Sequence, residues 1–366
     1  MHPGHRHTPP TPRCRCSVGW LAGAMEIARP RQPADQGRVS MRALVTGAAG
    51  FIGSHLVDRL LADGHQVIGV DNFRTGHETN LGPALGCNSQ SRQLFTLVRA
   101  DLGAPELVDI VAGAAPHVIF HLAAQVNDVA AVTDPQFDAR SNVLGTINLC
   151  EASRQAGVKR IVYAASGVSR YGSATRLVDE EDEIDPPSPN AAGKVASELY
   201  LRAYAQMYGL APISLALANV YGPRQDLRGI AGEIVVLASA MITGNPYTLL
   251  RAAAVAHDYV YVDDAVDAFM RAGCAPIETT GTYNIGSGLP ATASEVYAHI
   301  IAALDGLSAP TPAEFASGEP GALALNSSKA SDELNWRPKY DLAEGIGRTV
   351  HWLCGILEPG SSSLAG

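Results

Sequence analysis

A chain of 366 residues that is 46% hydrophobic and 17% charged has material for one large core and a smaller lobe. Its formal charge of −9 argues against a general nucleic-acid or anionic-membrane surface, and it holds no run of eighteen apolar residues to cross a bilayer. Six scattered cysteines (Cys14, Cys16, Cys87, Cys150, Cys274, Cys354) read as reduced thiols of a cytoplasmic protein; Cys14 and Cys16, near His2, His5 and His7, lack the frame of a metal site, so no metal is expected.

Residues 1–40 carry six arginines against two acids, a balance of +4 that leaves −13 on residues 41–366. Proline-rich and aperiodic, they are expected to form a disordered extension; the short apolar patch at 18–25 contains glycines and runs into Glu26, unlike a signal peptide. At Met41 the composition changes, and MRALVTGAAGFIG begins. Residues 42–46 read as a buried parallel strand and 51–63 as a helix, which puts Gly47, Gly50 and Gly53 at a strand-to-helix turn. Gly47 allows the tight turn, Gly50 lets a pyrophosphate approach the backbone, and Gly53 lets the helix pack on the strand, with the anion at the helix N-terminus. A second strand, 66–70, ends in Asp71, eighteen residues beyond Gly53, where a carboxylate can bond both hydroxyls of an adenosine ribose. Together these elements predict dinucleotide binding. Asp71 would repel a 2′-phosphate, so NAD is expected over NADP, with nearby Arg74 the one feature that pulls the other way.

Further strands at 96–100, 117–121, 160–164 and about 213–218 alternate with segments of helical length. This predicts an α/β fold, a Rossmann-type doubly wound parallel sheet over residues 41–220. Asp101 and Leu102 end the third strand where adenine would lie, and His121-Leu122-Ala123-Ala124-Gln125 ends the fourth beside the pyrophosphate and nicotinamide ribose. His121 itself reads as a hydrogen-bonded strand-end histidine. Glycine and proline breaks over 221–355 predict a smaller C-terminal substrate lobe, with 258–270 and 283–286 returning to the main domain and 356–366 forming a flexible tail. The acidic run 179–185 reads as a solvated loop edge.

The chain resembles the extended short-chain dehydrogenase/reductase superfamily, and within it the bacterial UDP-glucose 4-epimerases. The resemblance runs from Met41 to about Trp352 and is carried by residues 45–53, 70–72, 121–125, 142–146, 191–196, 219–226, 258–264 and 335–338. It implies NAD contacts from Gly47, Gly50, Phe51, Ile52, Gly53, Asp71, Asn72, Asp101, Leu102, Leu122, Ala123, Ala124, Gln125 and Lys194. In that family a tyrosine four residues before the lysine shares its helix face; its phenolate takes a sugar hydroxyl proton while hydride leaves for NAD, and a Ser or Thr shares the proton. Here Lys194 matches the lysine, but Asn190 stands at the tyrosine position, and an amide does not titrate. Ser166 matches the serine in one register, whereas a shorter register puts Gly167 there. The arginines that grip a nucleotide diphosphate correspond to His257 and Ala322, leaving Arg224 and Arg251 as the arginines that could compensate; Asn219 is implied as a substrate contact.

The expected activity is NAD-dependent and epimerase-like. A carbinol on a sugar or sugar-like substrate (nucleotide sugar, nucleoside or glycoside) is transiently oxidised with a non-standard acid/base group, Ser166, Asn190 and Lys194 being the catalytic candidates. Tyr163, Tyr171 and Tyr221 read as packing or loop residues, any of which could replace the missing phenol. A non-catalytic NAD-binding protein or partner subunit is one alternative, and an NAD-assisted lyase or dehydratase a second. The partners expected are a small sugar-type molecule and a second copy of the chain in a homodimer, without nucleic acid or membrane.

Overall fold

Only the first residue of the strand Arg42–Thr46 is partly exposed, because it runs through the middle of a parallel sheet covered on both faces. The computed structural model describes residues 40–88, 93–172, 174, 176–227, 232–244, 256–304 and 322–357. The expectations for residues 1–39, for Arg251 and for the tail beyond 357 lie outside them.

In chain order the strands are β1 (Arg42–Thr46), β2 (Gln66–Asp71), β3 (Phe95–Arg99), β4 (Val118–His121), β5 (Arg160–Ser166), β6 (Leu177–Val178), β7 (Ala211–Leu217), β8 (Asn219–Tyr221), β9 (Ala256–Tyr261), β10 (Gly281–Ile285), β11 (Pro290–Thr292) and β12 (Ala322–Leu325). Seven of them form one parallel sheet in the order β10-β7-β5-β4-β1-β2-β3. Alternation along β1 feeds two apolar layers. Ala43 and Val45 join the cluster under helices Phe51–Ala62 and Val262–Cys274, while Leu44 packs with Leu149, Cys150 and Leu201 of helices Gly145–Ala156 and Pro189–Tyr208. The protein is therefore a Rossmann-like α/β fold.

Residues 177–178 and strands from Asn219 onward build a second, five-stranded sheet, β11-β9-β12-β6 with β8 beside β9, which the sequence pattern does not show; of the stretch 258–270 expected in the main domain, 258–261 lie in this sheet. Its strands are two to six residues long, too short to leave a periodic signal. Buried Asp258 ties it together: Oδ1 accepts from the Ser287 N–H (2.8 Å) and hydroxyl (2.6 Å), and Oδ2 from the N–H groups of Gly288 (3.0 Å) and Leu325 (3.1 Å). Residues 281–285 return to the main sheet as β10 beside β7, and helix Val262–Cys274 packs on helix Phe51–Ala62. Among the described residues no helix is long and apolar enough to cross a membrane.

Candidate active site

The chain runs outward from β1 through β2 to β3 and then crosses to β4 on the other side of β1, so a crevice opens at the carboxyl ends of β1 and β4. It forms a cleft of about 500 Å³. Gly47 has φ +71°, and a Cβ there would lie 2.7 Å from the Ala123 nitrogen; at Gly53 it would lie 2.0 Å from the Gly47 carbonyl oxygen. Glycine alone permits this approach of loop, strand end and helix. Helix Phe51–Ala62 starts without a side-chain cap and without an acid in its first turn, so its first N–H groups keep their positive potential beside the cleft. That combination fits a pyrophosphate.

At the β2 end Asp71 is pinned, Oδ2 accepting from the Ala49 N–H (2.9 Å) and Oδ1 from the Phe73 N–H (2.8 Å). Each carboxylate oxygen keeps a lone pair for a ribose hydroxyl. Asn72 donates to Asp101 Oδ2 at 2.6 Å, and the Arg74 guanidinium stacks on the Phe137 ring at 4.0 Å. The cleft is lined by Gly47, Gly50, Phe51, Ile52, Gly53, Asp71, Asn72, Asp101, Leu102, Leu122, Ala123, Ala124, Gln125 and Lys194, which is the whole set of residues expected to contact NAD.

Lys194 lies where β5 and β7 end, with Ala164, Ala165 and Leu217 beside it in the cleft wall. Helix Pro189–Tyr208 carries it, started by the Ser188 cap, whose hydroxyl accepts from the Ala191 N–H, and by Pro189 in the first turn. Its Nζ donates to the Ala164 carbonyl at 3.2 Å, and burial lowers its pKa to about 8 against the opposing pull of Asp138 and Glu198. Asn190, one turn earlier, is turned inward. Its Nδ2 donates to the Gln125 carbonyl (2.7 Å) and to Asp138 Oδ1 (2.9 Å). The same carboxylate oxygen accepts from Asn142 Nδ2 (3.2 Å) and Gln125 Nε2 (3.1 Å), so Asp138, 1% exposed, is the hub of an amide cluster under the cleft. Sequence reasoning gave Asp138 no role. The available signals were its position four residues before Asn142 and the glycine before Lys194, where a Cβ would meet Asp138 Oδ2 at 2.8 Å.

The other candidates do not line the cleft. The Ser166 hydroxyl accepts from the Ser169 N–H as a helix cap. His121 is buried between the hydroxyls of Thr46 (2.9 Å) and Thr146 (3.0 Å), and burial, reinforced by Lys194, lowers its pKa to about 3. The phenols of Tyr163, Tyr171 and Tyr221 bond the Lys194 carbonyl, Asn284 and the Leu342 carbonyl, and burial raises all three pKa values, that of Tyr171 to about 12. Asn219 opens β8, beside Tyr259 of β9. Arg224, with φ +65°, pairs with Asp58 at 2.7 Å on helix Phe51–Ala62. His257 sits in β9 edge-to-face with Tyr259, and β12 runs beside it with Leu323 opposite His257 and Ala322 opposite Ala256. The acidic run is partly structural: the Glu180 carboxylate accepts from the Asn284 N–H at 2.7 Å, and Asp182 pairs with Arg176.

Residues 43–286 match the NAD dependent epimerase/dehydratase family. A UDP-glucose 4-epimerase of Mycolicibacterium smegmatis is 44% identical over 316 residues, 85% of this chain and 98% of that protein. The UDP-glucose 4-epimerase of Thermus thermophilus, solved in complex with NAD, is 36% identical with a TM-score of 0.74 over 87% of this chain and 100% of that one. The enzyme of the same name from Thermotoga maritima, solved with UDP-glucose, is 33% identical with a TM-score of 0.77 over the same shares. With the match covering well over half of the chain and the cleft built as described, the protein belongs to the NAD-dependent epimerase/dehydratase family and its cofactor is NAD.

Proposed function

We propose that the protein is a sugar epimerase that transiently oxidises a carbinol of a nucleotide sugar, with an acid/base group other than the family's tyrosine. The observation that carries this reading is Lys194, a buried and titratable amine in the wall of a cleft shaped for a dinucleotide. NAD, when bound, supplies a hydride acceptor and returns the hydride. The chain's own residues do the rest. Asp71 holds a ribose and disfavours a 2′-phosphate, the glycine turn opens helix N–H groups to a diphosphate, and Lys194 stands where a hydroxyl proton can be handled. Three of the proteins it matches bear the name UDP-glucose 4-epimerase, which makes UDP-hexoses the first substrates to test.

Asn190 gives specific weight to a second reading, that of a non-catalytic NAD-binding protein, because its amide is committed to the protein and cannot take a proton. Purified protein supplied with NAD and, separately, UDP-glucose, UDP-galactose, UDP-glucuronic acid and UDP-N-acetylglucosamine decides between them. Interconversion of one epimeric pair, followed by proton NMR, is the expected result. Tight NAD binding with no sugar converted, and no sugar reducing the cofactor, leaves the non-catalytic reading standing. Calorimetry should show NAD bound at least tenfold more tightly than NADP; equal affinity would remove Asp71 as the discriminating residue.

A further inference from the structure

We propose that Lys194 is itself the general base and acid of this protein, its ε-amine exchanging a proton directly with the substrate hydroxyl without a phenol between them. The inference rests on the epimerase reading and names the group that reading leaves open.

The geometry points to Lys194 by its position and by what surrounds it. Ser166 caps a helix, and the hydroxyls of Tyr163, Tyr171 and Tyr221, none of which lines the cleft, bond the Lys194 carbonyl, Asn284 and the Leu342 carbonyl. His121 is enclosed by two threonines, and Asp138 is covered by the amides of Asn142, Asn190 and Gln125. Asp71 and Asp101 line the cleft, but on the far side of β1, where β2 and β3 end. Lys194 is on the cleft wall. An ammonium presents three N–H groups, yet the described residues provide one hydrogen-bond acceptor for Nζ, the Ala164 carbonyl. As a neutral amine it donates to that carbonyl and keeps a lone pair.

The charged and titratable groups facing the amine are known from each element packed on it. Asp138 from helix Pro135–Ala139 and Glu198 from its own helix favour the ammonium, and neutral His121 from β4 lies nearby. The Tyr163 ring of β5 lies 5.6 Å away, and Arg170 holds Glu198 in a buried ion pair at 3.1 Å, which weakens that residue's hold on the lysine. The outcome is a group that changes charge near pH 8. In the proton step the carbinol O–H bond breaks and an N–H bond forms on neutral Nζ, giving ammonium. NAD, when bound, would accept the hydride from the carbinol carbon and give it back to the opposite face of that carbon, while the Lys194 ammonium returns its proton to the oxygen.

The chain has only four lysines, so protein labelled with carbon-13 at lysine Cε gives a spectrum in which Lys194→Arg identifies the resonance. In wild-type protein that resonance should titrate near pH 8; an amine that stays protonated beyond pH 10 overturns the proposal. Lys194→Arg keeps a charge and a donor but cannot give up its proton. At saturating NAD it should convert sugar at least 100-fold more slowly, in keeping with the ~10²–10⁴ contributed by positioned acid/base groups. Turnover within tenfold of wild type also overturns the proposal. If the wild type converts no sugar, the epimerase reading falls, whereas the titration still decides whether Lys194 is competent as a base.

Discussion

Asn190 commits both hydrogens of its amide to the Gln125 carbonyl and Asp138, so introducing a tyrosine there does more than add a phenol. It removes two bonds from the Asp138 cluster. Where the resemblance implies diphosphate arginines this chain has His257 and Ala322, and each charge-assisted contact missing there would cost ~1.5–3 kcal/mol of binding. We therefore expect Asn190→Tyr alone to change UDP-galactose turnover by less than tenfold. Asn190→Tyr combined with His257→Arg and Ala322→Arg should raise kcat/KM by at least two orders of magnitude over that single change. Strong gain from the single change would show that the pocket already grips a UDP-sugar. Asn190 was singled out in the sequence by the lysine four residues on; its partner was not legible, because Asp138 lies 52 residues away.

At the scale of one element, the strand-turn-helix from β1 to Ala62 does two jobs through the same atoms. Gly53 holds the helix against the Gly47 carbonyl, and the open helix start faces the cleft. Gly53→Ala forces a Cβ to within 2.0 Å of a backbone oxygen that has no flexible end to swing aside. The expected cost is ~1–3 kcal/mol of stability by overpacking, together with at least tenfold weaker NAD binding. Urea melts and calorimetry on the same sample check both; wild-type values in each would mean that the helix packs with slack. This element was readable from sequence because its contacts join neighbours in the chain. The five-stranded sheet was not, since the Asp258 bond to Leu325 spans 67 residues and no periodicity records it.

For the molecule as a whole, buried neutral histidines set an acid limit. Burial lowers the pKa of His121 to about 3 and, with Arg224 adding to the effect, that of His55 to about 4, both below the ordinary 6.5. The unfolded chain takes up these protons first, so the stabilisation is full above pH 6.5 and is lost as pH falls through about 4 and 3. Each histidine then contributes a slope of up to ~1.4 kcal/mol per pH unit inside that window. Asp58, Asp263, Asp264 and Glu198, raised mainly by burial, act with the opposite sign toward the acid end. Urea unfolding should therefore show stability falling from pH 7 to 5.5; a flat profile would mean that the histidines are hydrated. Sequence alone determined the alternating strands and helices, the parallel sheet, the glycine turn and the NAD cofactor, because each follows from residue type at local spacing. Tertiary structure alone decided which carboxylates are hubs and which phenols are locked away. Burial and hydrogen-bond partners assembled from distant segments determine whether a side chain can exchange a proton, and spacing along the chain carries no trace of either.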